Sequence, residues 1–358
     1  MYKNIVIIPA LNPPGQRLKE YVSSLIEYGC ERILIVDDGS AAEYKEIFSC
    51  LETYDAVRVF RHAVNLGKGR ALKNAFNYAF TEWGMEDCSG VITVDSDGQH
   101  TIEDVIALQK ELDLQTVPAL LLGTRDFDDP NVPFKSRYGN KTTSGIFKLL
   151  YGVKLGDTQT GLRAIPKEYM LQYMDLDGER FEYEMNMLIF GAIHKHSMEQ
   201  IKIQTVYFDN NNETHFRPFV DSMKIYKLIF AVFFKYLFTS LSSAVIDLLI
   251  FHMMTLLLVS LKTEIAIIVS TVIARIVSSF YNFLLNRNMV FKSSGTTWKQ
   301  MVRYYVLCIV QLCCSAGLVV LLNRMIGWDK TFEKLIVDSV LFVISYQIQR
   351  AWVFKEKK

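Results

Sequence analysis

No pair of cysteines in this sequence has the spacing of a metal site. The six present (Cys30, Cys50, Cys88, Cys308, Cys313 and Cys314) are read as reduced thiols, and Cys313-Cys314 sits inside an apolar run expected to lie in membrane. Net charge is also nearly absent, at +1. The basic residues lie among long apolar runs instead of forming one stripe, which argues against a nucleic-acid partner. The first apolar run, Ile5-Val6-Ile7-Ile8, is too short for a signal peptide, so the first domain is expected in the cytoplasm.

What is present is apolar surface, unevenly distributed. The 358 residues are long enough for two domains, and 50% of them are hydrophobic, high for a soluble protein. Residues 1–217 hold 23 Lys/Arg against 31 Asp/Glu, a net of −8, while residues 218–358 hold 16 against 7, a net of +9. An acidic first part joined to a basic, apolar second part predicts a soluble domain tethered to a membrane domain.

The first part alternates strands and helices. Strands are predicted at Ile5–Ile8 (stopped by Pro9), Ile33–Val36, Val57–Phe60, Val91–Val94 and Ala119–Gly123. Helices are predicted over Leu18–Tyr28, Ala42–Leu51, from Asn65 towards Phe80, and over Ile102–Leu114. This pattern predicts a mainly parallel sheet with helices on both faces, whose ligands collect at the carboxyl ends of the strands. Polar residues stand at those ends: Asp37-Asp38 after the second strand, Asp95 and Asp97 after the fourth, Arg125 after the fifth. Asp95 and Asp97 lie on one side of an extended chain, and Gln99 adds a neutral oxygen there. Such a set suits Mg²⁺ or Mn²⁺, which take one or two protein carboxylates plus substrate phosphates. The alternative is an ordinary turn, since Asp, Ser and Gly are common loop residues.

In chain order the motifs are Pro9-Ala10-Leu11-Asn12, Val36-Asp37-Asp38-Gly39-Ser40, Asn65-Leu66-Gly67-Lys68-Gly69, Asp95-Ser96-Asp97-Gly98-Gln99-His100, Gly123-Thr124-Arg125, Arg137, Asp157-Thr158-Gln159-Thr160-Gly161-Leu162-Arg163 and Phe181-Glu182-Tyr183-Glu184. Together they resemble the inverting family 2 glycosyltransferases of the GT-A fold, in the polyprenyl-phosphate sugar transferase branch typified by dolichyl-phosphate mannose synthase. The resemblance runs through most of residues 3–217. One position departs from it: the family usually has Glu after the Asn of the first motif, and here Pro13 stands there, which leaves the nucleotide base open.

The resemblance implies a UDP- or GDP-linked sugar as donor, undecaprenyl or dolichyl phosphate as acceptor, and Mg²⁺ or Mn²⁺ as cofactor. Pro9, Asn12 and Asp38 would line the base and ribose pocket, with Asp37 and Ser96 nearby. Lys68 would sit close to the nucleotide, although Gly-Lys-Gly is also a common helix start. Asp95, Asp97 and Gln99 would hold the divalent ion, which neutralises charge on the leaving diphosphate. A lipid phosphate is already ionised and needs positioning, not a general base. Arg125 and Arg137 would supply it, since guanidinium forks match phosphate oxygens; Arg137 could equally be a surface residue of its helix. Asp157, Arg163 and Glu182 would shape the acceptor side, with a structural Asp157–Arg163 ion pair as the alternative. His215 or Arg217, in a polar loop before the membrane, could close over the diphosphate.

Residues 218–235 alternate apolar and basic positions, as an interfacial amphipathic helix does, with an ordinary helix packed on the soluble domain as the alternative. Four apolar segments follow, near 236–259, 264–285, 303–323 and 334–351, each about long enough to span a bilayer. Arg287, Lys292, Lys299 and Arg303 in the middle loop, and Lys355, Lys357 and Lys358 in the tail, place both on the cytoplasmic side. Asn286-Arg287-Asn288-Met289-Val290-Phe291-Lys292 echoes Gln349-Arg350-Ala351-Trp352-Val353-Phe354-Lys355, which suggests two repeated hairpins. This part resembles the GtrA-like four-helix membrane family across about residues 230–358. Asp247, Arg275 and Asp338 fall within spans, where a charge usually pairs or lines a polar path. Asp247 and Arg275 are expected to face the bundle interior and meet each other or lipid phosphate, with an interfacial Arg275 that snorkels to water as the alternative.

The expected protein is therefore an α/β GT-A domain followed by an all-α transmembrane domain. Its expected activity is metal-dependent, inverting sugar transfer to polyprenyl phosphate at the cytoplasmic membrane face, for envelope glycan or glycoconjugate synthesis. Self-association into a homo-oligomer is compatible with it. A transporter or lipid-binding module with an inactive transferase domain is the alternative, against which the intact Asp95/Asp97/Gln99 set argues. A processive polysaccharide synthase is disfavoured because the Gln-x-x-Arg-Trp run is absent.

Overall fold

A computed structural model describes residues 1–128, 132, 134–204 and 218–355; His215 and Arg217 lie outside the described residues. The chain divides into two compact units, residues 1–229 and 230–358.

The first unit is built on a seven-stranded sheet in the order β3-β2-β1-β4-β6-β5-β7. Its strands are β1 (Ile5–Ala10), β2 (Ile33–Asp37), β3 (Val57–Arg61), β4 (Gly90–Thr93), β5 (Ala119–Arg125), β6 (Arg163–Pro166) and β7 (Ser197–Ile203). The apolar runs of β1, β2, β4 and most of β5 are buried along their length, as strands covered on both faces must be. Helices α1 (Gly15–Glu27), α2 (Lys45–Leu51), α3 (Lys68–Tyr78), α4 (Ile102–Leu114), α5 (Phe134–Tyr151), α6 (Lys167–Met174) and α7 (Glu182–His194) complete the unit. Leu18, Tyr21, Val22 and Leu25 form the buried stripe of α1, and the Thr101 hydroxyl caps α4 by accepting the Asp104 N–H at 3.2 Å.

Two features differ from the sequence reading. β1 does not stop at Pro9: it runs on to Ala10, with Pro9 opposite Val36. Pairing with β4 ends at Ile7, so the N–H that proline lacks removes no bond on that side. The sheet also contains one reversed strand, β6, antiparallel to both β4 and β5. It brings Arg163 level with Thr93, at the end of β4 that leads into Asp95.

In the second unit the expected interfacial segment and first span are one continuous helix, α8 (Pro218–Leu257), which begins within the first unit. No proline or glycine interrupts it after Pro218. It is followed by α9 (Thr263–Leu285), α10 (Thr297–Met325) and α11 (Lys330–Ile348). Among the described residues three helical stretches are long and apolar enough to cross a membrane: Met223–Leu257, Thr263–Val290 and Thr297–Met325. α11 is not among them, having Lys330, Glu333, Lys334 and Asp338 in its first half. Cys313 and Cys314 lie exposed on the surface of α10, and no described cysteine is in a disulfide.

The echoed motifs become two π-helical turns, Asn286–Val290 and Gln349–Val353. Each ends with a Phe N–H donating five residues back, Phe291 to Asn286 and Phe354 to Gln349, both at 2.9 Å. The turns meet: Asn286 Nδ2 donates to Gln349 Oε1 at 3.1 Å, and Phe291 stacks on Phe354 at 5.0 Å. The same 63-residue offset relates buried Ser270, Ala274 and Ser278 on α9 to buried Glu333, Val337 and Leu341 on α11. Asp247 accepts the Ser278 hydroxyl at 2.8 Å and lies 3.7 Å from Arg275 Nε. These two charges do meet, but only Asp247 faces inward; the Arg275 side chain is 75% exposed on the helix surface. Asp338 accepts from Ser315 at 2.6 Å and pairs with Lys334 at 2.9 Å.

Two stability predictions follow from this packing. A Cβ at Gly90 would press on the backbone carbonyl of Ile165, so Gly90→Ala is expected to cost about 1–3 kcal/mol through overpacking, read as a lower unfolding midpoint. Asn286→Ala removes the donor to Gln349 Oε1 and one of two acceptors of the Thr239 hydroxyl (2.6 Å to Asn286 Oδ1), leaving the hydroxyl only the Tyr236 carbonyl at 2.8 Å. A loss of about 1–3 kcal/mol is expected, visible in thermal unfolding of the detergent-solubilised chain.

Candidate active site

At the carboxyl ends of β1, β2, β4 and β5 lies a cavity of about 500 Å³. Pro9, Asp38, Lys68, Asp95, Ser96, Asp97, Gln99 and Arg125 line it, all singled out from the sequence. Asn12, Asp37, Arg137, Asp157, Arg163 and Glu182 do not.

Several residues outside the lining build its walls. Asn12 adopts a left-handed φ of 46°. Its N–H donates to Ser40 Oγ at 2.9 Å while its Oδ1 accepts from the Ala41 N–H at 2.9 Å, tying the β1 loop to the β2 loop. Asp37 accepts the Ser40 N–H at 2.9 Å and shapes the same turn. Asp38 does more. One oxygen accepts the Leu66 N–H at 2.9 Å and meets His62 Nδ1 at 2.7 Å; the other accepts the Gly67 N–H at 2.8 Å. His62 Nε2 lies 2.9 Å from Asn74 Nδ2, so the tautomer protonated on Nδ1 satisfies both contacts. Asp38 thereby fixes the loop that delivers Lys68 to the cavity.

Lys68 Nζ lies 2.6 Å from Asp95 Oδ1 and 3.0 Å from both oxygens of Glu184. Burial disfavours its charge, but the two carboxylates outweigh burial and hold the ammonium above its ordinary range. Asp95 is likewise opposed by burial, yet Lys68 and His100 keep its carboxyl well below the usual range. His100 Nε2 lies 3.7 Å from Asp95 Oδ2. Asp97 shifts the other way, raised first by burial and then by the negative charge of Asp95. Its Oδ1 accepts the Gln99 N–H at 3.0 Å. A Cβ at Gly161 would collide with the Asp95 carboxylate, so only glycine leaves that carboxylate in place.

The Asp157–Arg163 pair weighed from the sequence does not form. Asp157, fully buried, takes Arg125 instead, with Nε at 2.6 Å and Nη2 at 3.1 Å. That fork fixes the Arg125 guanidinium at the cavity rim. Arg163 is buried and donates to the carbonyls of Thr160 at 2.9 Å and Glu184 at 2.8 Å, joining the Thr158-Gln159 loop to the first turn of α7. Arg137 is half-buried in the first turn of α5. Glu182 turns towards the N–H groups of Glu179 and Arg180. Two residues on, about 200° round the helix, Glu184 enters the cavity. Of this pair it is Glu184, and not the Glu182 named from the sequence, that lines the cavity, and Thr158, Gln159, Arg180 and Phe181 line it without having been singled out. The motif strings contained most of them, but which neighbour faces the cavity depends on how α7 packs.

Among the described residues no group of three or more His, Cys, Asp and Glu is arranged to hold a metal ion. The donor set nevertheless fits a hard divalent ion completed by substrate phosphates. Two carboxylates and an amide share the cavity, and burial and then the negative charge of Asp95 disfavour the ionised form of Asp97, which a cation between them would relieve.

Two family models match the chain: Glycosyl transferase family 2 over residues 5–185, and GtrA/DPMS, transmembrane domain over residues 235–354. An uncharacterised protein of Methanocaldococcus jannaschii is 30% identical over 206 residues, which is 56% of this chain and 81% of that one. The UDP-N-acetylglucosamine–dolichyl-phosphate N-acetylglucosaminyltransferase of Methanococcus voltae is 28% identical over 220 residues, 56% of this chain and 85% of that one. The dolichyl-phosphate beta-glucosyltransferase of Saccharomyces cerevisiae is 27% identical over 256 residues, 65% of this chain and 74% of that one. The chain belongs to glycosyl transferase family 2, with a GtrA/DPMS transmembrane domain following its transferase domain.

Proposed function

We propose that this protein transfers a sugar from a UDP- or GDP-linked donor to a polyprenyl phosphate, with inversion, at the cytoplasmic face of a membrane. The observation that carries the reading is one cavity holding opposite chemistries: the acids Asp95 and Asp97 at one part of its lining and the braced Arg125 guanidinium at another. Two relatives whose names specify dolichyl-phosphate acceptors support the same acceptor class.

In this mechanism an acceptor phosphate oxygen attacks the anomeric carbon from the face opposite the diphosphate. The new carbon–oxygen bond forms as the old one breaks, and the diphosphate leaves with the electron pair. No proton has to be removed from the acceptor, so Glu184 is free to stay on Lys68. Arg125 orients the acceptor phosphate, and Asp157 holds the guanidinium in place. Asp97, Gln99 and Asp95 would hold Mg²⁺ or Mn²⁺, which supplies charge neutralisation at the leaving diphosphate. Asp38 and Pro9 bound the nucleotide end of the cavity. In the membrane domain, α11 is assigned as a fourth crossing, which returns the C-terminus to the side of the transferase domain.

Purified full chain incubated with Mn²⁺, polyprenyl phosphate and a panel of nucleotide sugars should form a lipid-linked sugar, detected by mass spectrometry. Asp97→Asn is expected to lower its rate by about 100-fold or more. Gly161→Ala, which displaces the Asp95 carboxylate, should lower it by about tenfold. Polyprenyl-phosphate binding with no product from any donor would instead favour a carrier with an inactive transferase domain.

A further inference from the structure

Lys68 occupies the carboxylate that a divalent ion would need. Its ammonium takes Asp95 Oδ1 at 2.6 Å, while Asp95 Oδ2 faces His100 and packs on Gly161. Both oxygens of Asp95 are thus engaged by the protein. Asp97, by contrast, accepts a backbone N–H from Gln99 and lines the cavity. Glu184 offers the lysine a second acid at 3.0 Å. The elements that bear the pair are locked together: Gly69 packs against Tyr183 Cβ, and Arg70 forks onto Glu179 at 2.6 and 2.7 Å. Lys68 therefore cannot leave Glu184 by a drift of α3.

We propose that Lys68 is a resident counter-ion that keeps divalent ions off Asp95 until the nucleotide diphosphate arrives, and that Glu184 retains the lysine when Asp95 is released. This rests on the sugar-transfer reading above. A divalent ion alone would have to expel an ammonium from a favourable contact and leave it without one of its two anions. A diphosphate brings both the missing ligands for the ion and a new anion for the lysine. Metal and nucleotide then load together, and the two residues act as positioning groups.

The test is Mn²⁺ binding to the purified full chain without nucleotide, followed by electron paramagnetic resonance. Wild type should bind weakly through Asp97. Lys68→Gln should bind about tenfold tighter, because Asp95 and Glu184 join the site, and Lys68→Arg should stay near wild type. Asp97→Asn should abolish binding, while Asp95→Asn should change it by less than about threefold. Unchanged or weaker binding in Lys68→Gln, or loss in Asp95→Asn equal to that in Asp97→Asn, overturns the proposal. The two Asp variants decide it if Lys68→Gln fails to fold. Sugar transfer is assayed in parallel: product from wild type with unaltered Mn²⁺ binding in Lys68→Gln defeats this inference alone. No Mn²⁺ binding even with nucleoside diphosphate present defeats the metal assignment in the proposed function.

Discussion

The ammonium of Lys68 joins three parts of the fold that are far apart in sequence. It is carried by the first residue of α3, and it meets an acid from the loop after β4 and an acid from the first turn of α7. Each contact depends on another piece of backbone. Asp38 pins the loop before α3, Gly161 leaves room for the Asp95 carboxylate, and Arg163 holds the carbonyl of Glu184. A buried cation between two acids is tolerable only with such support, because each group left unpaired would bear the full desolvation cost. The lysine therefore defines the cavity as much as any group that touches substrate.

Much of the first unit was legible because local and global signals agree there. The apolar runs of β1, β2, β4 and β5 are uninterrupted, and the acids and Arg125 stand where a parallel sheet opens towards its ligand. What was not legible was decided by tertiary contact. Arg163 looked like a partner for Asp157 because both fall in one short motif. The structure gives Asp157 to Arg125, 32 residues away, since β5 and β6 are neighbours in the sheet. The reversed strand β6 has only four residues, too few for a period to declare its direction. Glu182 and Glu184 were indistinguishable until α7 had a facing.

The membrane half shows the opposite balance. Its apolar helices could be drawn from composition, yet the most informative feature was a weak echo of Arg, Val, Phe and Lys at matched offsets. That echo corresponds to two π-turns that touch each other, and to buried faces of α9 and α11 in the same register. The continuity of α8 was not visible, since a change from amphipathic to uniformly apolar composition reads as a boundary even where no residue breaks the helix. The sequence left Arg275 open between the bundle interior and a side chain that snorkels outward, because charge in a span says only that a partner is needed; the structure has it exposed.

Each π-turn carries one residue more than an α-helical turn. Removing a single residue between Arg287 and Val290 would let α9 continue as ordinary helix and swing Phe291 about 100° around its axis. Phe354 would then lose Phe291 and keep only Phe283 as a stacked ring, while Asn286, which precedes the deletion, would still face Gln349. The second hairpin imposes the same condition on the first. A change of length at either end is therefore felt at the other, because the two turns hold one stacked pair of rings between them.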